Sequence, residues 1–204
     1  MTAPQTTPAS ATADRRHLAI APEPAAADID DVDTGSVIDW WSPENQYIGA
    51  LLWLPAEQIR PLLELVPDTA LTRHHARWTY ELIRAAVDAG TDPNPVAILA
   101  AGRTQGAHDD LTPHRAPRPG DHRALSLYLF DVYQRVISPA AAAGTYAAGV
   151  LDEAYRAAFA RCGIRMQQLA DSGAERADLT DQFIAIRDEL ADLRRRADKA
   201  KPVA

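Results

Sequence analysis

The chain has 204 residues and a formal charge of -7, and hydrophobic residues, many of them alanine, make up 47% of it. That length suits one domain, or one compact domain with an extended appendage; alanine favours helix and close helix–helix approach, and the scarcity of β-branched and aromatic runs excludes a large sheet. The single cysteine, Cys162, excludes a disulfide framework and suits a reducing compartment, and no apolar run nears the roughly 18 residues of a membrane span.

Residues 1–39 hold seven acids against two arginines, leaving 21 acids and 19 bases in the remainder. The remainder is nearly neutral, so no basic domain announces nucleic acid, and a DNA contact is open only to a local patch. Residues 1–38 are rich in Ala, Pro, Thr and Asp and lack apolar periodicity. Such a segment cannot offset its ordering entropy, so a disordered tail is expected. Its acidic stretch Asp28–Asp33 reads as solvated, or as a contact for a basic partner. No apolar run follows Arg15 and Arg16, so no secretory leader is expected, and the expected location is cytoplasmic.

Order is expected from Trp40. Ser42 and Pro43 form a cap-then-proline helix start, and the helix Glu44–Trp53 puts Tyr47, Ile48, Leu51 and Leu52 on one face. Gly49 within it predicts close approach by a neighbouring backbone. A second helical stretch follows Pro55, with Ile59, Leu62, Leu63 and Val66 inward and a break at Pro61. A third helix over 72–89 repeats Trp78, Leu82, Ile83 and Ala86 and ends at Gly90. Asn94-Pro95 opens a short helix through Ala101. Residues 102–121, with three glycines and three prolines, read as a loop. A helix from about His122 to Val136 follows, with Leu125, Leu129, Val132 and Val136 on one side.

The last third is alanine-rich. Leu151, Ala154, Ala158, Cys162, Met166 and Leu169 trace one apolar stripe, interrupted at Asp171-Ser172-Gly173. Leu179, Phe183, Ile186, Leu190 and Leu193 then recur at spacings of four, three, four and three, which predicts a heptad seam. Two long helices joined by a short turn fold back as an antiparallel hairpin. The expected fold is all-α: a disordered acidic tail (1–39), a small orthogonal helical bundle (40–138), a long hairpin (139–197) and a flexible C-terminus (198–204). A lone hairpin has outer faces to cover, and Ile184 beside the seam adds apolar surface.

Several stretches together resemble the N-terminal domain of DnaB-type replicative helicases. Glu44-Asn45-Gln46-Tyr47-Ile48-Gly49-Ala50-Leu51-Leu52 is similar to that family's opening helix, with its acidic-x-Gln and apolar-Gly-x-Leu pattern. Arg73 to Trp78 is similar to its histidine-containing third helix start, and Asp92 to Leu99 to its short turn and helix. Ser138-Pro139-Ala140-Ala141, followed by Tyr146-Ala147 and Val150, is similar to its hairpin entry. The resemblance spans roughly residues 42–196; the proline-rich stretch 102–124 departs from it, and no stretch of these 204 residues is similar to the family's linker and motor. It implies a collar domain whose hairpins pair between subunits and which meets a helicase, a primase or a loader. Tyr146, Val150, Leu151, Ala158, Leu179, Phe183, Ile184, Ile186, Leu190 and Leu193 would then hold the hairpin together or face a partner.

Chemistry is sparse. A helicase motor needs a phosphate loop ending in Gly-Lys-Ser/Thr. The only lysines are Lys199 and Lys201, neither after a glycine, so no ATPase and no cofactor is expected. His74 and His75 are adjacent, hence about 100° apart on a helix and poorly placed to share a metal. His108, Asp109, Asp110, His114, Asp121 and His122 have metal-ligand types, but their spacing fits no known site. Cys162 reads as a small core residue, and Ser126 and Ser172 lack the setting of a nucleophile. Trp40 and Trp41 are expected to pack against the domain. Arg194, Arg195, Arg196, Lys199 and Lys201 suit the C-terminal end of a helix dipole, or alternatively a contact to DNA or an acidic partner.

Overall fold

The computed structural model describes residues 39–107 and 117–200. The expected tail, Asp28–Asp33 within it, His108, Asp109, Asp110, His114 and Lys201 lie outside the described residues. Among the described residues there are seven α-helices and no strand: α1 (Pro43–Leu51), α2 (Ala56–Leu65), α3 (His74–Asp88), α4 (Pro95–Ala101), α5 (Pro119–Arg135), α6 (Pro139–Asp171) and α7 (Arg176–Ala200). A 3₁₀ turn, Asp68–Ala70, joins α2 to α3.

The helix starts follow from the caps. The Ser42 hydroxyl accepts the Asn45 N–H at 3.4 Å, and the Asn94 side chain accepts the Ala97 N–H at 2.9 Å, each with proline at the first helical position. Gly90 ends α3 with φ +74°. Two expectations fail. Pro61 lies inside a continuous α2. Its side of the helix is exposed, so the Glu57 carbonyl that loses its partner stays accessible to water. And α5 starts at Pro119, inside the expected loop, because the Asp121 carboxylate accepts the Arg118 N–H at 2.9 Å and closes a first turn there.

α1 is the centre of the molecule. The sequence predicts one apolar face, yet residues 46–51 are buried all round, since α3, α5 and α6 each cover a different side. Gly49 lets α5 come against it: a Cβ there would fall on the Val132 carbonyl oxygen and within 2.9 Å of the Val136 Cβ. The core continues through Ile59, Leu63, Trp78, Leu82, Ile83, Ile98, Leu125 and Leu129 and into the first half of α6.

The end of α2 has no glycine cap; Val66 is extended and Pro67 follows. Its terminal carbonyls are taken up by side chains from three other helices. The Tyr47 hydroxyl donates to Leu62 O at 3.1 Å and the Tyr80 hydroxyl to Val66 O at 2.7 Å. Arg84 donates to Leu63 O at 3.2 Å, and Arg196 to Glu64 O and Leu65 O at 2.9 and 3.2 Å. Burial raises the phenol pKa of Tyr47, of Tyr80 to about 12, and of Tyr128. A phenol whose folded pKa exceeds its unfolded value of about 10 stabilises the fold fully below that pH and progressively less as pH rises toward the folded value. Stability to urea is therefore expected to hold up to about pH 10 and to fall between about pH 10 and 12. Phenolate absorbance from these tyrosines should appear together with the loss of helical circular dichroism.

Candidate interaction surface

Three consecutive polar residues prepare the ground for the hairpin. The Glu44 carboxylate, 3% exposed, accepts the Thr72 N–H at 2.8 Å, the Thr72 hydroxyl at 2.7 Å and the Arg73 N–H at 3.2 Å. α3 has no cap of its own at Arg73, so α1 supplies one. Asp92 does the same for α2, accepting the Ala56 N–H at 2.7 Å. The Asn45 side chain accepts the Tyr128 hydroxyl and donates to Asp39 O. Gln46 donates to Trp40 O and Arg135 O, each at 3.2 Å, and accepts the Ile137 N–H at 3.1 Å. One amide thus ties the segment before α1 to the end of α5 and to the chain entering α6. The acidic-x-Gln pair is architecture, a role invisible in sequence because its partners lie up to 91 residues away.

The hairpin starts from a sharp bend. Ser138 is left-handed at φ 47°, Pro139 opens α6, and the Tyr146 hydroxyl donates to Ile137 O at 2.6 Å. At the far end the Ser172 hydroxyl donates to Leu169 O and Gly173 turns the chain at φ +70°. Between these ends the hairpin has two parts. Near the bundle, Val150, Leu151, Ala154 and Ala158 are buried in the chain's own core, with Ile186, Leu193, Ala197 and Ala200 of α7 buried across from α6. Val150, Leu151 and Ala158, expected at a hairpin or partner interface, therefore serve the chain itself. Beyond Cys162, which is buried, every residue of α6 through Gln168 is exposed.

Phe183 corrects the expected seam. The line from Leu179 through Ile186 and Leu193 to Ala200 advances by sevens, with Leu190 half-buried beside it. Phe183, three residues before Ile186, lies about 60° off that line on a 3.6-residue helix, and is 57% exposed. Gln182 takes the inner position, with its Oε1 buried and no hydrogen-bond partner among the described residues. Ile184 is exposed too, on the outer edge of α7.

The expected basic cluster is divided. Arg196 Nε meets Asp192 at 2.6 Å while its other nitrogen caps α2, so it is a latch between α7 and the bundle. Arg195 pairs with Asp192 at 2.9 Å and Arg194 with Asp198 at 4.0 Å, both on the surface. Arg196→Ala should cost about 1–2 kcal/mol, because it removes a charged donor to two carbonyls at the α2 end that water only partly replaces, whereas Arg195→Ala should cost under about 0.5 kcal/mol. Chemical denaturation of both variants checks the contrast.

His75 is half-buried with its ring 5.9 Å from that of Tyr128, and His74 lies edge-on to it at 5.3 Å. Burial and the neighbouring His74 lower the His75 pKa. His122 accepts a hydrogen bond from Arg103 at 3.3 Å. Ser126 lies within α5, and Ser172 is spent on the turn. Trp40 is covered by the Arg135 guanidinium as expected, but Trp41 is exposed, not packed.

No family model matches the sequence, and no curated protein matches it. Among solved structures, the chain is similar to the N-terminal domain of DnaB helicase from Mycobacterium tuberculosis, with a TM-score of 0.58 and 22% sequence identity, over 71% of this chain and 94% of that one. The bundle, the entry bend and the long hairpin together are thus the fold of a DnaB helicase N-terminal domain.

Proposed function

We propose that this chain is a non-catalytic protein–protein interaction and oligomerisation module linked to DNA replication, working in the cytoplasm and contacting a helicase, a primase or a loader. The observation that carries the reading is the distal hairpin. Past the bundle it exposes Phe159, Phe183 and Ile184 on a stiff two-helix arm, an arrangement that suits association more than chemistry. The likeness in fold to a helicase domain supports the link to replication. Of the polar residues that sequence alone offers for chemistry, Asp121, His122 and Ser172 are engaged in caps and joints, and these 204 residues contain no Gly-Lys pair to hold a phosphate. Among the described residues no helix is long and apolar enough to cross a membrane.

Self-association is assigned to the outer edge of α7 around Ile184. Immobilised full-length chain should retain the replicative helicase, primase or loader of its own host from a purified set, and an Ile184→Asp, Phe183→Asp double variant should retain less. Failure to hold any of the three would remove the replication link. The alternative of DNA binding through Arg194–Arg196 is weakened because Arg196 is committed to Asp192 and to the carbonyls at the α2 end, and Asp192 and Asp198 place negative charge beside the other two. A titration at low salt, where phosphate contacts are strongest, should show no DNA binding.

A further inference from the structure

We infer that the hairpin flank turned away from the bundle seats an acidic amphipathic helix of another protein, an inference that rests on reading the hairpin as a contact element. The two flanks are told apart by contacts. Arg161 of α6 pairs with Glu189 of α7 at 3.6 Å, and a cleft there is shared with Pro67, Thr69 and Ala70 of the bundle. That flank faces the bundle. At about 100° per residue, Phe159 and Met166 of α6 and Phe183 of α7 fall on the opposite flank, some 60–80° off the seam. They are 62%, 42% and 57% exposed. The Tyr155 ring, 6.4 Å from that of Phe159, extends the strip toward the bundle.

Charge defines the occupant. Arg176, Arg187 and Arg194 follow one another at eleven and seven residues, so they form a row along the α7 edge of the same flank. Of the acids of α7, Asp178, Glu189 and Asp192 fall toward the bundle and Asp181 and Asp188 along the outer edge, so only Asp198, at the C-terminal end, shares the flank with this row. Arg187 and Arg194 are held only by exposed pairs with Asp188 and Asp198, which exchange readily for a better partner. Among the described residues no ion pair engages Arg176. An apolar strip edged by one row of guanidinium groups fits a helix with an apolar stripe and flanking carboxylates. A second copy docked flank to flank fits poorly. Its α7 would bring the same arginine row, and its α6 has no acid from Ala154 to Ala170.

The test uses the full chain and fluorescence anisotropy. The probe is a labelled synthetic helix with leucine at i, i+4, i+7 and i+11 and glutamate beside them, compared with its variant carrying lysine for glutamate. The glutamate helix should bind at low salt and the lysine variant should not. Arg176→Glu with Arg187→Glu, and separately Phe183→Ala, should each weaken binding by at least about tenfold while circular dichroism and light-scattering mass stay unchanged. No binding of the glutamate helix, or equal binding of the two helices, overturns the inference. So does loss of self-association in Phe183→Ala, which would put a second copy on this flank. A chain that is monomeric yet binds the glutamate helix would count against the self-association proposal and leave this inference standing.

Discussion

Replacing Gly49 by alanine is expected to destabilise the protein by about 3 kcal/mol, while the same replacement at Gly163 stabilises it by about 0.5–1 kcal/mol. Both glycines sit in helices, so propensity favours alanine equally at each. They differ in what the new methyl group meets. At Gly49 it runs into the backbone carbonyl of Val132 and the Val136 side chain, and a backbone atom of α5 cannot rotate away. α1 and α5 must separate, which loosens the most buried helix in the molecule. At Gly163 nothing lies within 4 Å. Urea denaturation of the two variants gives the sign directly; equal shifts would mean that the α1–α5 approach is looser than described.

Glu44→Ala should be comparably severe, at about 3–5 kcal/mol, because it strips three donors at the start of α3 of their acceptor in a buried site. Part of that figure is the loss of negative charge from a helix N-terminus. Glu44→Gln separates the contributions. It keeps the shape and one acceptor oxygen but loses the charge, so about half of the loss should return. Thermal unfolding followed at 222 nm, with hydrogen exchange at Thr72 and Arg73, would resolve both. Unchanged protection of those two amides in Glu44→Ala would show that α3 finds its cap elsewhere.

Local signals in the chain were reliable where their partners are also local. Ser42-Pro43 and Asn94-Pro95 open helices because cap and acceptor lie within one turn. Gly49 announces a close approach, and Gly173 a reversal, because each needs a property no other residue supplies as easily. The hairpin itself was legible from periodicity. What failed was whatever depends on a distant partner. Phe183 looks like a seam residue by spacing, yet a straight helix drifts off a four-three count, and Gln182 takes the inner position. Val150 and Leu151 are buried in the chain's own core, which spacing along α6 does not distinguish from a partner face. Arg196 belongs by sequence to a basic cluster and by structure to the end of α2, 132 residues earlier. Glu44 and Gln46 carry no mark in sequence that distinguishes a remote cap from a surface acid and amide. Phe159, absent from the expected contact residues, became visible only once the bundle was seen to stop short of it.

The central claim is that the distal hairpin is a contact element with an uncovered apolar edge. Multi-angle light scattering of the full chain over a concentration series, beside its Ile184→Asp variant, tests it most directly. A wild-type mass that is a multiple of 22.2 kDa and an Ile184→Asp mass of 22.2 kDa, with helical content unchanged, are the predicted results. A wild-type chain that stays at 22.2 kDa at every concentration would contradict self-association through the hairpin.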